Sequence, residues 1–364
     1  MKNTFGTALT LTLYGESHGP AVGAVLDGLP PGLPVDEASI ARRLARRRPS
    51  GPDATARREP DPFQLLSGVF RGHTTGTPLC INIPNTDTRS ADYLPDRPRP
   101  SHADYAAHVK YCGHQDYRGG GHFSGRLTAP IVAAGAILLD ALAARGVRIG
   151  THILRCGGVP DRPVAAPPRD LANDLDALDA APFPALSPDA PAQMTAAILA
   201  AKADRDSVGG VTQTAILGLP PGLGEPWFDS LESLLAHALF GLGGVKGVEF
   251  GDGFALADLR GSQANDPLCT DGRAVVTTTN HAGGINGGLS NGMPILFQCA
   301  VKPTATIPRP QPTIDLRTLQ NATIAAAGRH DPAIVRRLPP CIDALTALVI
   351  ADLLFQRPPS PTRP

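Results

Sequence analysis

The sequence predicts an α+β fold. Stretches with the period-two patterning of strands come in pairs between long helical stretches, whereas a doubly wound sheet alternates one strand with one helix. The 364 residues suffice to bury a substantial core without disulfides or a metal, and they show no self-similarity at the repeat period of a solenoid or propeller. Length alone leaves open one large domain or about two ordinary ones.

Local signals justify each element in turn. Leu9, Leu11 and Leu13 alternate with Thr10 and Thr12, which reads as a strand and not as the apolar core of a signal peptide. Residues 15–20 form a loop, 21–26 a second strand, and Asp27-Gly28-Leu29-Pro30-Pro31-Gly32 a turn. Asp36 can cap the next helix, with Glu37 in its positive first turn, Ile40 and Leu44 as its apolar stripe, and Pro49 and Gly51 as its stop. Residues 64–70 and 78–83 read as strands about a 72–76 turn, and 85–117 as polar loop. The longest helix signal is 129–144, rich in Ala and Leu, with Thr128 as its cap, Pro130 tolerated in its first turn and Gly146 at its end. Residues 155–192, rich in Pro, Ala and Asp, read as an excursion over the surface. A helix over about 192–203 turns Met194, Ile198 and Leu199 inward. Strands at 211–217 and 295–301, a helix at 231–239, a glycine loop at 241–247 and an apolar core helix at 341–355 follow. Residues 357–364 form a flexible, proline-rich tail, so the domain proper is 1–356.

Composition narrows the function classes. Lys+Arg and Asp+Glu each number 33, so a nucleic-acid coat or polybasic membrane binder is not expected, and any cationic surface must be focused. The six cysteines form no C-x-x-C pair, and no window approaches 18 uninterrupted apolar residues. A cytoplasmic protein with reduced thiols, no metal and no membrane is the expectation.

Two motifs point to anions. Arg42, Arg43, Arg46, Arg47 and Arg48 crowd the end of the first helix, where the dipole favours cations and a solvated face would account for them. At 100° per residue, however, Arg43 and Arg47 fall beside Ile40 and Leu44, on the core side. With Arg57 and Arg58 close behind, that many guanidinium forks suit a phosphate or carboxylate. Gly119-Gly120-Gly121, before Ser124 and the long helix, bares N–H groups but has neither P-loop nor dinucleotide spacing, so it specifies neither ATP nor NAD. His102, His108, His114 and His122 recur every six residues or so and fall on different helix faces, unlike a zinc site. His18, in a loop directly after a strand, suits acid–base work, while Arg329-His330-Asp331-Pro332 offers a cation and a carboxylate at a further loop.

Taken together, these segments resemble the chorismate synthase family from about residue 5 to residue 354. The matching blocks include Gly15-Glu16-Ser17-His18-Gly19, Arg46-Arg47-Arg48-Pro49, Arg57-Arg58-Glu59-Pro60-Asp61, His102-Ala103-Asp104-Tyr105 and Asp116-Tyr117-Arg118-Gly119-Gly120-Gly121. Val245-Lys246-Gly247-Val248-Glu249, Asn280-His281-Ala282-Gly283-Gly284 and Lys302-Pro303-Thr304 continue the match. The resemblance implies a single large domain with helices sandwiched with antiparallel sheets, assembled as a homotetramer. It implies 1,4-elimination of phosphate from 5-enolpyruvylshikimate 3-phosphate to give chorismate, in aromatic amino-acid biosynthesis, with reduced FMN.

Residue by residue, it implies His18 as proton donor to the leaving phosphate, His102 as keeper of the flavin's protonation state, Asp331 as helper near flavin N5, and Ser17 and Ser124 as hydrogen-bonding supports. Arg47, Arg48, Arg57 and Arg126 would hold substrate anions. His122, Phe123, Ser124, Gly243, Gly244, Gly287, Lys302, Pro303, Thr304, Ala305, Thr306 and Arg329 would hold FMN. The flavin block departs from the pattern: His122-Phe123-Ser124-Gly125-Arg126-Leu127-Thr128 stands where the family commonly reads Arg-Ser-Ser-Ala-Arg-Glu-Thr, so one cation and one carboxylate are gone together. Gly243-Gly244 replaces the usual Asn-Ala, and the 51–56 loop lacks an arginine often found there, which argues against an NADPH contact; an external flavin reductant is the expected partner. A flavin oxidoreductase, or a non-catalytic paralogue binding FMN and a phosphorylated carboxylate, are the alternatives.

Overall fold

The computed structural model describes residues 2–51, 53–55, 60–88, 90, 93–165, 168–270, 272, 274–326 and 330–356. The 357–364 tail, Arg57 and Arg329 fall outside these residues.

Antiparallel pairing builds two five-stranded sheets. The first runs in the order Thr4–Phe5, Thr10–Gly15, Ala21–Asp27, Leu79–Pro84, Gln64–Ser67. In its fourth strand Leu79, Ile81 and Ile83 are fully buried while Cys80 and Asn82 point away, the alternation of a sheet with one face on the core. The second sheet runs Val245–Phe250, Ile295–Val301, Gly210–Leu217, Arg148–Cys156, Val159–Pro160.

Helices fill the space between the sheets. Helix Thr128–Ala143 packs on strands of the first sheet and helix Pro339–Gln356 on strands of the second, and the two helices pack on each other. Burial on nearly every face explains why both are apolar all round. The first helix together with the short turn ahead of it, Gly125–Ala143, and the helix Pro339–Gln356 are each long and apolar enough to cross a membrane, yet 78% and 83% of the windows concerned are buried in this core. Their close approach depends on Gly135, where a Cβ would stand 2.3 Å from the Cβ of Ala344. Helix Glu37–Arg47 lies against Thr128–Ala143, capped by Asp36, which accepts from the Ala38 N–H at 2.8 Å.

Five local expectations need correction. The 85–117 loop contains helix Asp104–Lys110, a short polar element whose only buried residue is Ala107, so no apolar stripe announces it. The 155–192 stretch is not a bare excursion: helix Pro168–Ala180 buries Leu171, Leu175 and Leu178 with Val164 and Ala215 against the second sheet. Leu199 is 37% exposed, because helix Ala190–Ala203 turns Ala190, Met194 and Ile198 inward and Leu199 lies one step round from that stripe. Thr128 is the first residue of its helix and not its cap; its hydroxyl donates to the Gly125 carbonyl, while Ser124 caps the short turn ahead by accepting from the Arg126 N–H. The glycine loop at 241–247 ends early, since strand Val245–Phe250 starts within it. Strand Arg148–Cys156 and the hairpin Gln311–Asp315/Gln320–Ile324 went unanticipated, the former because consecutive buried residues hide its period of two.

Candidate active site

The three glycines that follow Arg118 shape the site. Gly119, Gly120 and Gly121 all have φ between 54° and 82°, the region open mainly to glycine. A Cβ on Gly119 would stand 2.4 Å from the His18 ring and 2.9 Å from Ser17 Oγ, and one on Gly120 would stand 3.3 Å from His102 Cε1. The loop therefore passes between two histidines that are 84 residues apart in sequence. The Ser17 N–H donates to the Gly121 carbonyl at 3.1 Å, and His18 Nδ1 lies 3.0 Å from Ser90 Oγ.

A cavity of about 540 Å³ opens beside this loop. Its wall includes Arg47, His102, His122, Phe123, Ser124, Gly243, Gly244, Lys302, Pro303, Thr304, Ala305, Thr306 and Asp331. His122 donates through Nδ1 to the Gly15 carbonyl at 2.9 Å, and Lys302 donates to the Ser101 carbonyl at 2.6 Å. Asp331 pairs with Arg337 at 3.0 Å, and Arg337 also donates to the Arg47 carbonyl. A smaller cavity adjoins through Ala103, Phe123 and Thr306, and its wall holds Arg97, Arg99, Asp104 and His330.

Beneath the larger cavity lies a buried ion cluster. Asp61 is shared by Arg47, at 2.8 Å, and by Arg126, with all three side chains sealed from solvent. Burial by itself pushes the Asp61 carboxyl up, but the two guanidiniums outweigh it and hold it well below the usual carboxylate range. Arg48 Nε stands 3.7 Å from the same carboxylate. The Nε atoms of Arg47 and Arg48 and the hydroxyl of Thr304 are buried without a hydrogen-bond partner. Such orphans in a native structure call for a ligand or water.

A family model described as chorismate synthase matches residues 9–355. The chain belongs to the chorismate synthase family. Among its relatives, the chorismate synthase of Aeropyrum pernix is 48% identical over 358 residues, covering 98% of this chain and 93% of its own length. That of Desulfovibrio desulfuricans is 48% identical over 361 residues, covering 97% of each, and that of Pyrococcus abyssi 45% over 357 residues, covering 97% and 98%. A chorismate synthase crystal structure aligns with a TM-score of 0.76 at 28% identity, over 97% of this chain and 93% of that one. The chain is accordingly an enzyme, a lyase with chorismate synthase function in the shikimate pathway, and its α+β architecture is that of the family.

Not every anticipated residue reaches the cavity wall. Ser17 and His18 stand behind Gly119, Arg126 and Arg48 stand in or beside the Asp61 cluster, and Gly287 occupies the turn of the hairpin Ile285–Asn286/Leu289–Ser290. Arg43 faces Asp140 at 3.6 Å and not the cavity. Arg99, Asp104, Asp61 and Arg337 are charged neighbours of the anticipated residues that sequence reasoning did not single out; the blocks around His102 and Arg57 contained two of them, Asp104 and Asp61, unremarked. In the 122–128 block that departs from the family pattern, Leu127 is buried in the core and Phe123 sits edge-on to Tyr111 at 6.2 Å.

Proposed function

We propose that the 540 Å³ cavity binds reduced FMN together with 5-enolpyruvylshikimate 3-phosphate and that 1,4-elimination of phosphate takes place there. The observation that carries this reading is charge. A chain of net charge +0 sets Arg47, Lys302 and Arg337 in one wall against the single carboxylate Asp331, among the described residues, and behind that wall Arg126 and Arg48 outnumber the carboxylate Asp61 that they share with Arg47. Substrate and cofactor both carry phosphate, and the substrate adds carboxylates.

The wall fits a flavin phosphate on its own chemistry, because Lys302 supplies a cation and Thr304 a hydroxyl without a partner. His122, Phe123, Ser124, Gly243, Gly244 and the 302–306 run would hold FMN, with Gly287 and Arg329 as further contacts. Reduced FMN, when bound, supplies the electron-rich partner that the elimination needs without net redox change.

The protein's own part is proton and charge control. The C–O bond to phosphate breaks with its electron pair leaving on the phosphate, the C–H bond at the far end of the 1,4 unit gives its electron pair to a new double bond as the existing one shifts, and the proton so released would be taken by the basic nitrogen of the reduced cofactor. His18, which stands behind Gly119 and off the cavity wall, gives a proton to the departing phosphate at the Gly119 edge of the site, with Ser17 and Ser124 as hydrogen-bonding supports. Arg47, with Arg48 and Arg57, holds the substrate's anionic groups and stabilises charge on the leaving phosphate, while Arg126, sealed on Asp61 behind the wall, adds positive charge without touching the substrate. His102 holds the proton that sets the flavin's charge, and Asp331 assists near N5.

The same reading has one catalytic domain over 1–356, cytoplasmic, with the flavin reduced from outside, no NADPH contact of its own, and a homotetrameric assembly. Six free cysteines support the compartment, and Trp227, Phe228 and Phe254, each at least 85% exposed, support burial against other copies. Replacing His18 with Ala tests the mechanism: substrate binding stays within a few-fold while turnover falls by roughly 10² to 10⁴. Weakened binding with normal turnover would exclude His18 as the acid.

A further inference from the structure

The ring of His102 is held from behind. Its Nδ1 lies 2.7 Å from Asp104 Oδ1 and 3.1 Å from a terminal nitrogen of Arg99. These two contacts make opposite demands, since a guanidinium only donates and requires a bare Nδ1, whereas an ionised carboxylate only accepts and requires Nδ1–H.

The surrounding contacts decide between them. Arg99 already donates through Nε and a terminal nitrogen to Asp104 at 2.7 and 2.8 Å, through its other terminal nitrogen to Thr306 Oγ1 at 3.2 Å, and through its backbone N–H to Asp104 at 3.0 Å. The guanidinium thus has partners without the histidine. Burial pushes the Asp104 carboxyl up, but the hydrogen bonds from Arg99 and His102 outweigh it and hold the group well below its ordinary value, so it stays an acceptor. On the far side of the ring, Nε2 passes Gly120, where a Cβ would stand 3.5 Å away, and His102 lines the larger cavity.

We propose that Asp104 is a positioning residue that fixes His102 as the Nδ1–H tautomer, with Arg99 pinning the carboxylate, so that Nε2 is the nitrogen presented to the cavity. The proposal rests on the role given to His102 above and adds the atom and the device. A bare Nε2 takes a proton from a bound group or hydrogen-bonds to it, and the carboxylate behind stabilises the imidazolium that forms. A side chain at position 120 would rest against this edge of the ring, its Cβ 3.3 Å from Cε1 and 3.5 Å from Nε2, and glycine keeps that edge free of it.

The test reads the tautomer directly on the cofactor-free protein, by two-bond ¹⁵N–¹H correlation of ¹⁵N-histidine-labelled enzyme, with His102 assigned by the signal lost in His102→Gln. Wild type shows the Nδ1–H pattern in the neutral ring. In Asp104→Asn the amide oxygen goes to Arg99 and its NH₂ turns to Nδ1, so the proton moves to Nε2, and turnover falls by about 10² to 10⁴ with substrate KM changed less than about threefold. An Nε2–H pattern in wild type overturns the proposal whatever the variant does. An unchanged tautomer in a folded Asp104→Asn protein with turnover within twofold of wild type overturns it as well. Because the tautomer is read without flavin or substrate, failure of the functional reading would leave this result standing and identifiable.

Discussion

Asp343 offers the sharpest test of the packing. It sits in helix Pro339–Gln356 against the second sheet, 3% exposed, with Oδ1 2.6 Å from Thr151 Oγ1, which in turn lies 2.8 Å from Thr214 Oγ1. Burial pushes its carboxyl from 3.8 up to about 7, against the pull of Arg46, the Thr151 hydrogen bond and Arg43. The folded state therefore prefers the neutral acid. Its contribution to stability is fully present below the unfolded value and is lost as pH rises from about 4 through about 7. The rise from 3.8 to about 7 corresponds to roughly 4 kcal/mol over the whole window, of which about 3 kcal/mol falls between pH 5 and 8. Asparagine is neutral throughout, so Asp343→Asn should be close to wild type or less stable at pH 5 and should gain about 3 kcal/mol relative to it by pH 8. Urea unfolding followed by far-UV circular dichroism is the assay, because the single tryptophan, Trp227, is 85% exposed and reports little of the core. A wild-type minus variant difference that does not change with pH, or that changes in the opposite sense, would refute the burial argument.

Two further substitutions, with a third as control, probe the glycines. Gly119→Ala places a Cβ 2.5 Å from His18 Nε2 at a φ of 62°; it should lower stability by about 1 to 2 kcal/mol and kcat by about 100-fold through displacement of the histidine, as read from steady-state kinetics and thermal melts. Gly135→Ala puts a methyl group 2.3 Å from Ala344 Cβ between the two central helices and should cost about 1 to 3 kcal/mol by urea unfolding. Gly261→Ala, with nothing within 4 Å of the added carbon, should stay within about 0.5 kcal/mol and serves as the control.

Local chemistry made much of the fold legible, and distance hid the rest. Asp36 announced its helix, and the phase of Ile40 and Leu44 placed Arg47 on the buried side, where it is 3% exposed. Leu171, Leu175 and Leu178 carried a helical period that the surrounding Pro and Asp masked. Strand Arg148–Cys156 is buried through Thr151, His152 and Ile153, so no polar alternation marked it. At the site, the glycine run and the arginines pointed to anions through residue type and spacing alone. The partner that organises the arginines did not show itself, because Arg126 and Asp61 are 65 residues apart and only the fold brings them together. The Asp104 contact to His102 spans two residues, yet it depends on a helix start that a polar sequence did not reveal.

The most direct measurement of the central claim is anaerobic turnover of 5-enolpyruvylshikimate 3-phosphate by the pure protein with chemically reduced FMN, following chorismate absorbance and phosphate release, then repeated with oxidised FMN and NADPH. The account predicts equimolar chorismate and phosphate in the first mixture and neither in the second. Absence of chorismate from folded protein that binds both FMN and substrate would contradict it.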